Sequence, residues 1–289
     1  MRAYIPEYQF LTPASLDNAL TLLARSPGEW KPFAGGTDLM VLLEAGKLAH
    51  RKYLNIWPLA ELRGVEINDD HVMLGALTTY TDVQTNPTLV DEFPMLAQAA
   101  SETGGLAIQN RGTLGGNIVN ASPAADSPPA LLAYDAQLEL ASAKGRRWVP
   151  YDGFHTGYKE MNIRDDELLT RIQLRRSKQP VFHYYRKVGT RKAQAISKVC
   201  FSGIAHVVDR RIEEVRIALG SVAPIPLRCV RTESVLRGQR ITASLIGTAE
   251  KELAREVTPI DDIRSTKAYR LRVSQNLLAD FLKQMFDKV

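Results

Sequence analysis

Two short glycine-rich segments contain the residues of this chain that are best suited to chemistry. The first is Phe33-Ala34-Gly35-Gly36-Thr37-Asp38, and the second is Thr113-Leu114-Gly115-Gly116-Asn117. A phosphate group needs several N–H donors that converge on it, and glycine lets the backbone come close enough to supply them. Thr37 and Thr113 add hydroxyl groups, and Asn117 adds a side-chain amide. Both segments therefore favour a ligand that contains phosphate.

The two segments together indicate a phosphate ligand more strongly than either segment alone. A single Gly-Gly turn is common between a strand and a helix, and neither segment has the spacing of a Rossmann loop or a P-loop. A pyrophosphate carries two adjacent negative groups, and each charge-assisted hydrogen bond to it contributes about 1.5–3 kcal/mol. Micromolar binding corresponds to about −8 kcal/mol and so needs several such bonds. Two segments supply enough donors where one would be marginal, and a pair of ordinary tight turns stays open as the alternative.

The elements around the first segment are predicted to be a strand, a glycine turn and a helix. Residues 30–34 form the strand, and residues 38–46 form a helix that ends at Gly46. This order presents backbone N–H groups to a ligand. Ser15 is a candidate N-cap for an earlier helix. The apolar face of that earlier helix consists of Leu16, Ala19, Leu20 and Leu23.

The rest of the chain predicts an α+β protein with two unequal domains. Strands are predicted at residues 53–56, 64–67, 71–75, 137–140, 168–174, 199–209 and 214–220. Helices are predicted at residues 94–104, 243–257 and 269–288. The polar segment 175–180, closed by a proline, is the predicted boundary. It divides the chain into residues 1–177, with subdomains of about 1–56 and 57–177, and residues 178–289.

The bulk properties exclude several classes of protein. The 289 residues are 45% hydrophobic, which is enough for a core, and no apolar run is long enough to cross a membrane. The net charge is +5, but cations and acids are interspersed, so we expect no nucleic-acid partner. Cys200 and Cys229 are isolated and lack the spacing of metal ligands. They predict reduced thiols in a cytoplasmic protein, with no metal or iron–sulfur site, and no residue stands out as catalytic.

The two glycine segments, in this order and about 80 residues apart, resemble those in the FAD-binding (medium) subunits of molybdenum hydroxylases. That family includes the flavin subunits of xanthine dehydrogenase and carbon monoxide dehydrogenase. The first motif matches at residues 33–39, and the second continues from Thr113 to Asp126. The segments 14–20 and 185–193 are also similar to the family. The resemblance covers essentially the whole chain.

The resemblance implies a fold and a cofactor. The fold is an FAD-binding domain of the p-cresol-methylhydroxylase (PCMH) or vanillyl-alcohol-oxidase type, followed by a smaller α+β domain like that of CO dehydrogenase flavoproteins. The cofactor is FAD, held non-covalently. The implied cofactor-binding residues are Pro32, Phe33, Ala34, Gly35, Gly36, Thr37, Asp38, Leu39, Thr113, Gly115, Gly116, Asn117, Asn120, Asp126, Leu168 and Lys187.

Three of these residues also have a plainer interpretation. Asp126 matches a residue that bonds toward the flavin half, but it is also a candidate N-cap before Pro128. Lys187 matches a lysine beside the flavin, and is otherwise a solvated lysine. Leu168, or its neighbour Leu169, matches an apolar contact to the ring, and is otherwise a core residue.

The resemblance also implies an oxidoreductase subunit that works in a complex. Electrons would come from a molybdopterin-containing large subunit through iron–sulfur clusters on a small subunit, and would leave to NAD⁺ or another acceptor. The complex would be a heterotrimer or a dimer of heterotrimers. Two other functions stay open, namely a self-sufficient PCMH-type flavin oxidoreductase and a non-enzymatic scaffold that has lost FAD.

Overall fold

The structure, a computed structural model, describes residues 7–191 and 194–287. The outer ends of both predicted domains, Lys288 of the predicted final helix, and residues 192–193 of the 185–193 segment lie outside the described residues. Most helices and strands come in separate runs along the chain, and the larger sheets are antiparallel, which confirms the predicted α+β class. Within the described ranges, no helix is long and apolar enough to cross a bilayer. The exact division of the domains at 177/178 stays a prediction.

The first sheet consists of three short parallel strands, with the last in the middle. The strands are β1 (Gln9–Leu11), β2 (Lys31–Phe33) and β3 (Lys52–Asn55). Helix α1 (Leu16–Arg25) follows β1, and helix α2 (Leu39–Glu44) follows β2. The predicted strand, glycine turn and helix around the first segment are therefore confirmed.

The helices of this layer begin and end where their sequence predicts. The Ser15 hydroxyl accepts a hydrogen bond from the N–H of Asn18 and caps α1. The predicted apolar face of α1 is buried in the core of this layer. Gly46, which ends α2, has a φ of +66°, the left-handed conformation expected after a helix.

The second sheet has five antiparallel strands and lies in the middle of the N-terminal domain. In spatial order they are β4 (Val65–Ile67), β5 (His71–Gly75), β10 (Leu168–Arg175), β6 (Gln137–Ser142) and β7 (Gly145–Pro150). Between β5 and β6 lie α3 (Tyr80–Thr85), α4 (Pro87–Glu92), α5 (Pro94–Glu102), α6 (Leu106–Gln109), α7 (Leu114–Val119) and α8 (Ser127–Ala133). The small hairpin of β8 (His155–Gly157) and β9 (Glu160–Met161) follows β7, and a 3₁₀ turn, Ala60–Leu62, precedes β4. The helices and one face of the sheet enclose the largest hydrophobic cluster.

The C-terminal domain is an antiparallel sheet of four strands covered by helices. The strands are β11 (Phe182–Val188), β12 (Val199–Val208), β13 (Arg211–Gly220) and β14 (Leu227–Arg228). The helices are α9 (Val230–Leu236), α10 (Ala243–Glu256) and α11 (Lys267–Asp287). Phe281 of α11 packs on Phe201 of the sheet in a separate hydrophobic cluster. Cys200 and Cys229 are free, buried thiols, and burial raises the pKa of both.

The two domains share a packed interface. Helix α8 lies against β12 and β13. Tyr185 and Ala218 of the C-terminal domain belong to the same hydrophobic cluster as the N-terminal helices. Arg216 and Arg228 both donate to the carboxylate of Asp135, Arg216 at 2.8 Å. Apolar packing and ion pairs therefore fix one domain against the other.

His183 lies at this interface, in a cavity of about 460 Å³. The Tyr134 hydroxyl accepts from the N–H of Met95 at 3.1 Å, so its own proton is available to His183 Nδ1 at 3.2 Å. Burial, and then the charge of Arg216, lower the pKa of His183 to about 4. Because an unfolded histidine titrates at about 6.5, folding favours the neutral ring.

The interface should therefore weaken in acid. The contribution of neutral His183 is complete above about pH 6.5 and is lost as the pH falls toward about 4. Between pH 7 and pH 4.5 the free energy of unfolding of the wild type should fall. We expect this fall to be about 1–3 kcal/mol larger in the wild type than in a His183→Asn variant. Urea unfolding at both pH values measures the difference. Equal losses in the two proteins would show that His183 is not the titrating group.

Candidate cofactor-binding site

The first glycine segment follows β2 at the carboxyl end of the parallel sheet. Gly36 has a φ of +76°, and a Cβ there would lie 2.4 Å from Cζ of Phe33, so the position requires glycine. The backbone N–H groups of residues 35–38 have no acceptor within the described parts of the chain. Adjacent unpaired N–H groups in a turn are the arrangement that binds an anion.

The two glycine segments touch each other. A Cβ on Gly35 would lie only 1.7 Å from the carbonyl oxygen of Arg111, the residue two positions before Thr113. Only glycine allows the two backbones to come this close. The sequence placed these segments in one site, and the structure does bring them together.

The second segment differs from what its sequence suggested. The Thr113 hydroxyl accepts from the N–H of Gly116 at 3.0 Å, and this cap starts α7. The N–H of Gly115 donates to the carbonyl of Ala76 at 2.9 Å, and that of Asn117 donates to the carbonyl of Thr113. The segment is the first turn of a helix and not an open loop, and the N–H groups that such a turn leaves without an intrahelical acceptor are paired by the Thr113 cap and by the carbonyl of Ala76. Gly115 instead allows close packing, since a Cβ there would lie 2.6 Å from the Ala76 oxygen.

A cleft with a volume of about 910 Å³ runs between the two domains beside these segments. From the predicted set, the residues that line it are Asp38, Asn117, Asn120 and Asp126. Its opposite wall belongs to the C-terminal domain and includes Ile196, Ser197, Ile260, Arg264 and Arg270. The cleft is large enough for a sizeable organic ligand.

Asp126 is the most enclosed acid of this cleft, with 7% of its surface exposed. One carboxylate oxygen accepts from Lys187 Nζ at 2.7 Å, and the other accepts from the Ser197 hydroxyl at 2.5 Å. Lys187 also donates to the carbonyl of Glu102 at 2.8 Å. Burial raises the pKa of Asp126, while Lys187, Ser197 and Thr103 act to lower it. Asp126 precedes α8 but makes no capping hydrogen bond, because its side chain is turned toward Lys187.

Most of the remaining predicted residues belong to the elements around the cleft and not to its lining. Pro32 and Phe33 belong to β2, Ala34 packs on the core below the loop, and Leu39 begins α2. Asn120 accepts two hydrogen bonds from Lys159 Nζ, at its backbone oxygen and at Oδ1. Leu168 is buried in the core cluster of α1 and the first sheet. Leu168 and Lys187 are thus covered by other residues, and direct contact of either with a ligand stays a prediction.

The chain matches known families over most of its length. Residues 6–175 match the FAD binding domain in molybdopterin dehydrogenase, and residues 183–285 match the CO dehydrogenase flavoprotein C-terminal domain. The chain belongs to the FAD-binding family of the molybdopterin dehydrogenases. It therefore binds FAD, as the glycine segments predicted.

Relatives of this FAD-binding protein cover nearly the whole chain. The putative xanthine dehydrogenase FAD-binding subunit of Escherichia coli K12 is 33% identical over 268 residues, or 91% of each chain. The glyceraldehyde dehydrogenase medium chain of Sulfolobus acidocaldarius is 29% identical over 98% of this chain and 99% of its own. The structure of a carbon monoxide dehydrogenase from Hydrogenophaga pseudoflava that lacks the Mo-pyranopterin moiety matches with a TM-score of 0.91 and 26% identity, over 95% of this chain and 96% of that one. The predicted pair of domains is confirmed.

The geometry fits this cofactor. Unpaired amides at residues 35–38 suit the pyrophosphate, whose two phosphates need several donors. The cleft between the domains suits the larger aromatic part, because cofactor sites are concave and lie at domain interfaces. The sequence did not point to Ser197 or to the C-terminal wall at Ile260, Arg264 and Arg270. These residues carry no motif, and only the packing of the two domains brings them to the cleft.

Proposed function

We propose that this FAD-binding protein is the electron-transfer subunit of a molybdenum-containing hydroxylase or dehydrogenase. Its partners would be a molybdopterin-containing large subunit and an iron–sulfur small subunit, and it would be active only in their complex. The proposal rests on one observation. The chain covers about nine-tenths or more of relatives whose names are FAD-binding subunit or medium chain.

The residues of this chain have a binding and positioning role in that function. FAD, when bound, supplies the redox chemistry, and the protein orients and tunes it. Residues 35–38 would hold the pyrophosphate through their N–H groups. Asp126, fixed by Lys187 and Ser197, would present a carboxylate to the cleft from a defined direction. No proton-transferring residue is required of this chain, and NAD⁺ is the electron acceptor that we propose first.

Purification of the native complex through a tag on this chain tests the proposal. We expect two further chains, with molybdenum and iron in the metal analysis and FAD in the acid extract. Anaerobic addition of NADH should then bleach the visible absorbance of the flavin, because NADH is the reduced form of the proposed acceptor and can pass its electrons back to the flavin.

Each result separates the alternatives. FAD-loaded protein that purifies alone and oxidises organic substrates would be a self-sufficient enzyme, and would overturn the proposal. A complex that assembles but is not bleached by NADH would keep the subunit assignment and overturn NAD⁺ as the acceptor. Protein that takes up no added FAD would be a scaffold.

A further inference from the structure

The carboxyl ends of the parallel strands meet beside the first glycine segment. Residues 34–38 follow β2, and Trp57 lies two residues after the end of β3. The N–H of Ile56 donates to the carbonyl of Phe33 at 3.0 Å and holds the two strand ends together. Ligands of parallel sheets bind at the carboxyl ends of the strands. Trp57 is therefore on the ligand side of this sheet.

Trp57 carries two guanidinium groups on its ring. The Arg111 guanidinium carbon lies 3.8 Å from the ring centroid, and that of Arg63 lies 4.3 Å from it. Arg63 also donates to the carbonyl of Trp57 at 2.7 Å. Neither arginine pairs with a carboxylate from the described residues. A guanidinium that lies over an aromatic ring directs its N–H groups outward in its own plane, where they can bind an oxyanion.

Arg111 also stands where the two glycine segments meet. Its carbonyl oxygen is the atom that Gly35 approaches so closely, while its exposed side chain reaches the strand end at Trp57. The pyrophosphate carries a charge of about −2. In the second segment, the N–H groups of Gly115 and Gly116 already donate to other acceptors within the chain. The first segment even contributes an acid, Asp38. A cation at the junction of the two segments would complement the charge of the pyrophosphate there.

We propose that the Arg111 guanidinium, held on the Trp57 ring that Arg63 also contacts, binds the pyrophosphate of FAD. The proposal rests on FAD binding by this chain and adds a residue that neither glycine motif contains. Trp57 acts as the support that positions the arginine. Arg111 thus helps the site to prefer the dinucleotide over phosphate-free riboflavin.

Titration of the apo-protein with FAD and with riboflavin, at low and high salt, tests this role. We expect Arg111→Gln to weaken FAD binding about tenfold, the effect of one charge-assisted hydrogen bond, and to leave riboflavin binding unchanged. The variant should also show a smaller salt dependence than the wild type, because it has lost an ionic contact. Trp57→Leu, which removes only the support, should weaken FAD binding by a smaller factor.

Arg210→Gln is the matched control. Arg210 is also exposed and lies 5.7 Å from an aromatic ring, that of Phe286, but it belongs to the β12–β13 turn. We expect its affinity for FAD to equal that of the wild type. Unchanged FAD affinity in Arg111→Gln, or equal weakening of FAD and riboflavin, would overturn the proposal while the wild type still binds FAD. Failure of the wild type to bind FAD would instead contradict the cofactor assignment itself.

Discussion

A Gly35→Ala variant should bind FAD about 100-fold more weakly than the wild type, the equivalent of two lost charge-assisted hydrogen bonds. The new Cβ would lie 1.7 Å from the carbonyl oxygen of Arg111, a backbone atom that cannot rotate away. The two glycine segments must therefore move apart. Movement on that scale takes the N–H groups of residues 35–38 out of reach of a common ligand. Equilibrium titration of apo-protein with FAD, followed by flavin fluorescence, measures the loss.

A second glycine provides the control for this substitution. Gly247 lies inside α10, where a Cβ would meet nothing within 4 Å. Gly247→Ala should leave FAD affinity unchanged and raise stability by about 0.5–1 kcal/mol, since alanine is the better helix former. Gly35→Ala should lower stability by about 1–3 kcal/mol, as overpacking does. FAD binding of wild-type strength in Gly35→Ala would show that the contact between the segments does not shape the site.

The local features of the fold could be predicted because neighbouring residues determine them. Ser15 and the spacing of the apolar residues after it are enough to start α1 and to bury one face. The conformation of Gly36 is likewise a property of a short turn between β2 and α2. Such patterns depend on a few adjacent side chains, and so a single sequence contains them.

The hydrogen bonding of the backbone amides in the second segment could not be predicted in this way. Whether the Gly115 amide is free depends on the carbonyl of Ala76, and whether that of Leu114 is free depends on Thr78. Both acceptors lie just after β5, far away in the sequence. A glycine motif therefore predicts that two backbone segments pack closely, but it does not predict which acceptor each N–H group binds.

The burial of Leu168 and Lys187 could not be predicted either, because the residues that cover them lie far away in the sequence. Leu168 packs under the first sheet, and Lys187 lies between the Glu102 carbonyl and Asp126. The resemblance to the family implied that both residues bind the cofactor. The packing of α1 and the first sheet covers Leu168, and the packing of the two domains covers Lys187. Ser197, which the motifs do not include, bonds to the same carboxylate as Lys187 does.

A Lys187→Met variant should lower the free energy of unfolding by about 3–5 kcal/mol, because it leaves the buried Asp126 carboxylate without its counter-charge. Only 4% of the lysine side chain and 10% of the aspartate side chain are exposed, so water cannot replace the lost partner. Lys198→Met is the matched control, since Lys198 Nζ lies 5.2 Å from the ring centroid of Tyr269 and pairs with no carboxylate of the described residues. Its expected cost is within about 0.5 kcal/mol. Urea unfolding measures both.

The pH dependence identifies the cause of this loss. Burial already raises the pKa of Asp126, and removal of the lysine raises it further. A carboxyl group whose folded pKa is raised favours folding at low pH, and this contribution is lost as the pH rises through the folded pKa. The gap between Lys187→Met and the wild type should therefore be widest at neutral pH and should narrow in acid, as Asp126 takes up a proton. Adding Asp126→Asn should recover part of the loss at pH 7, because it removes the stranded charge. A gap of constant size across the pH range, with no recovery in the double variant, would mean that Lys187 acts by packing alone.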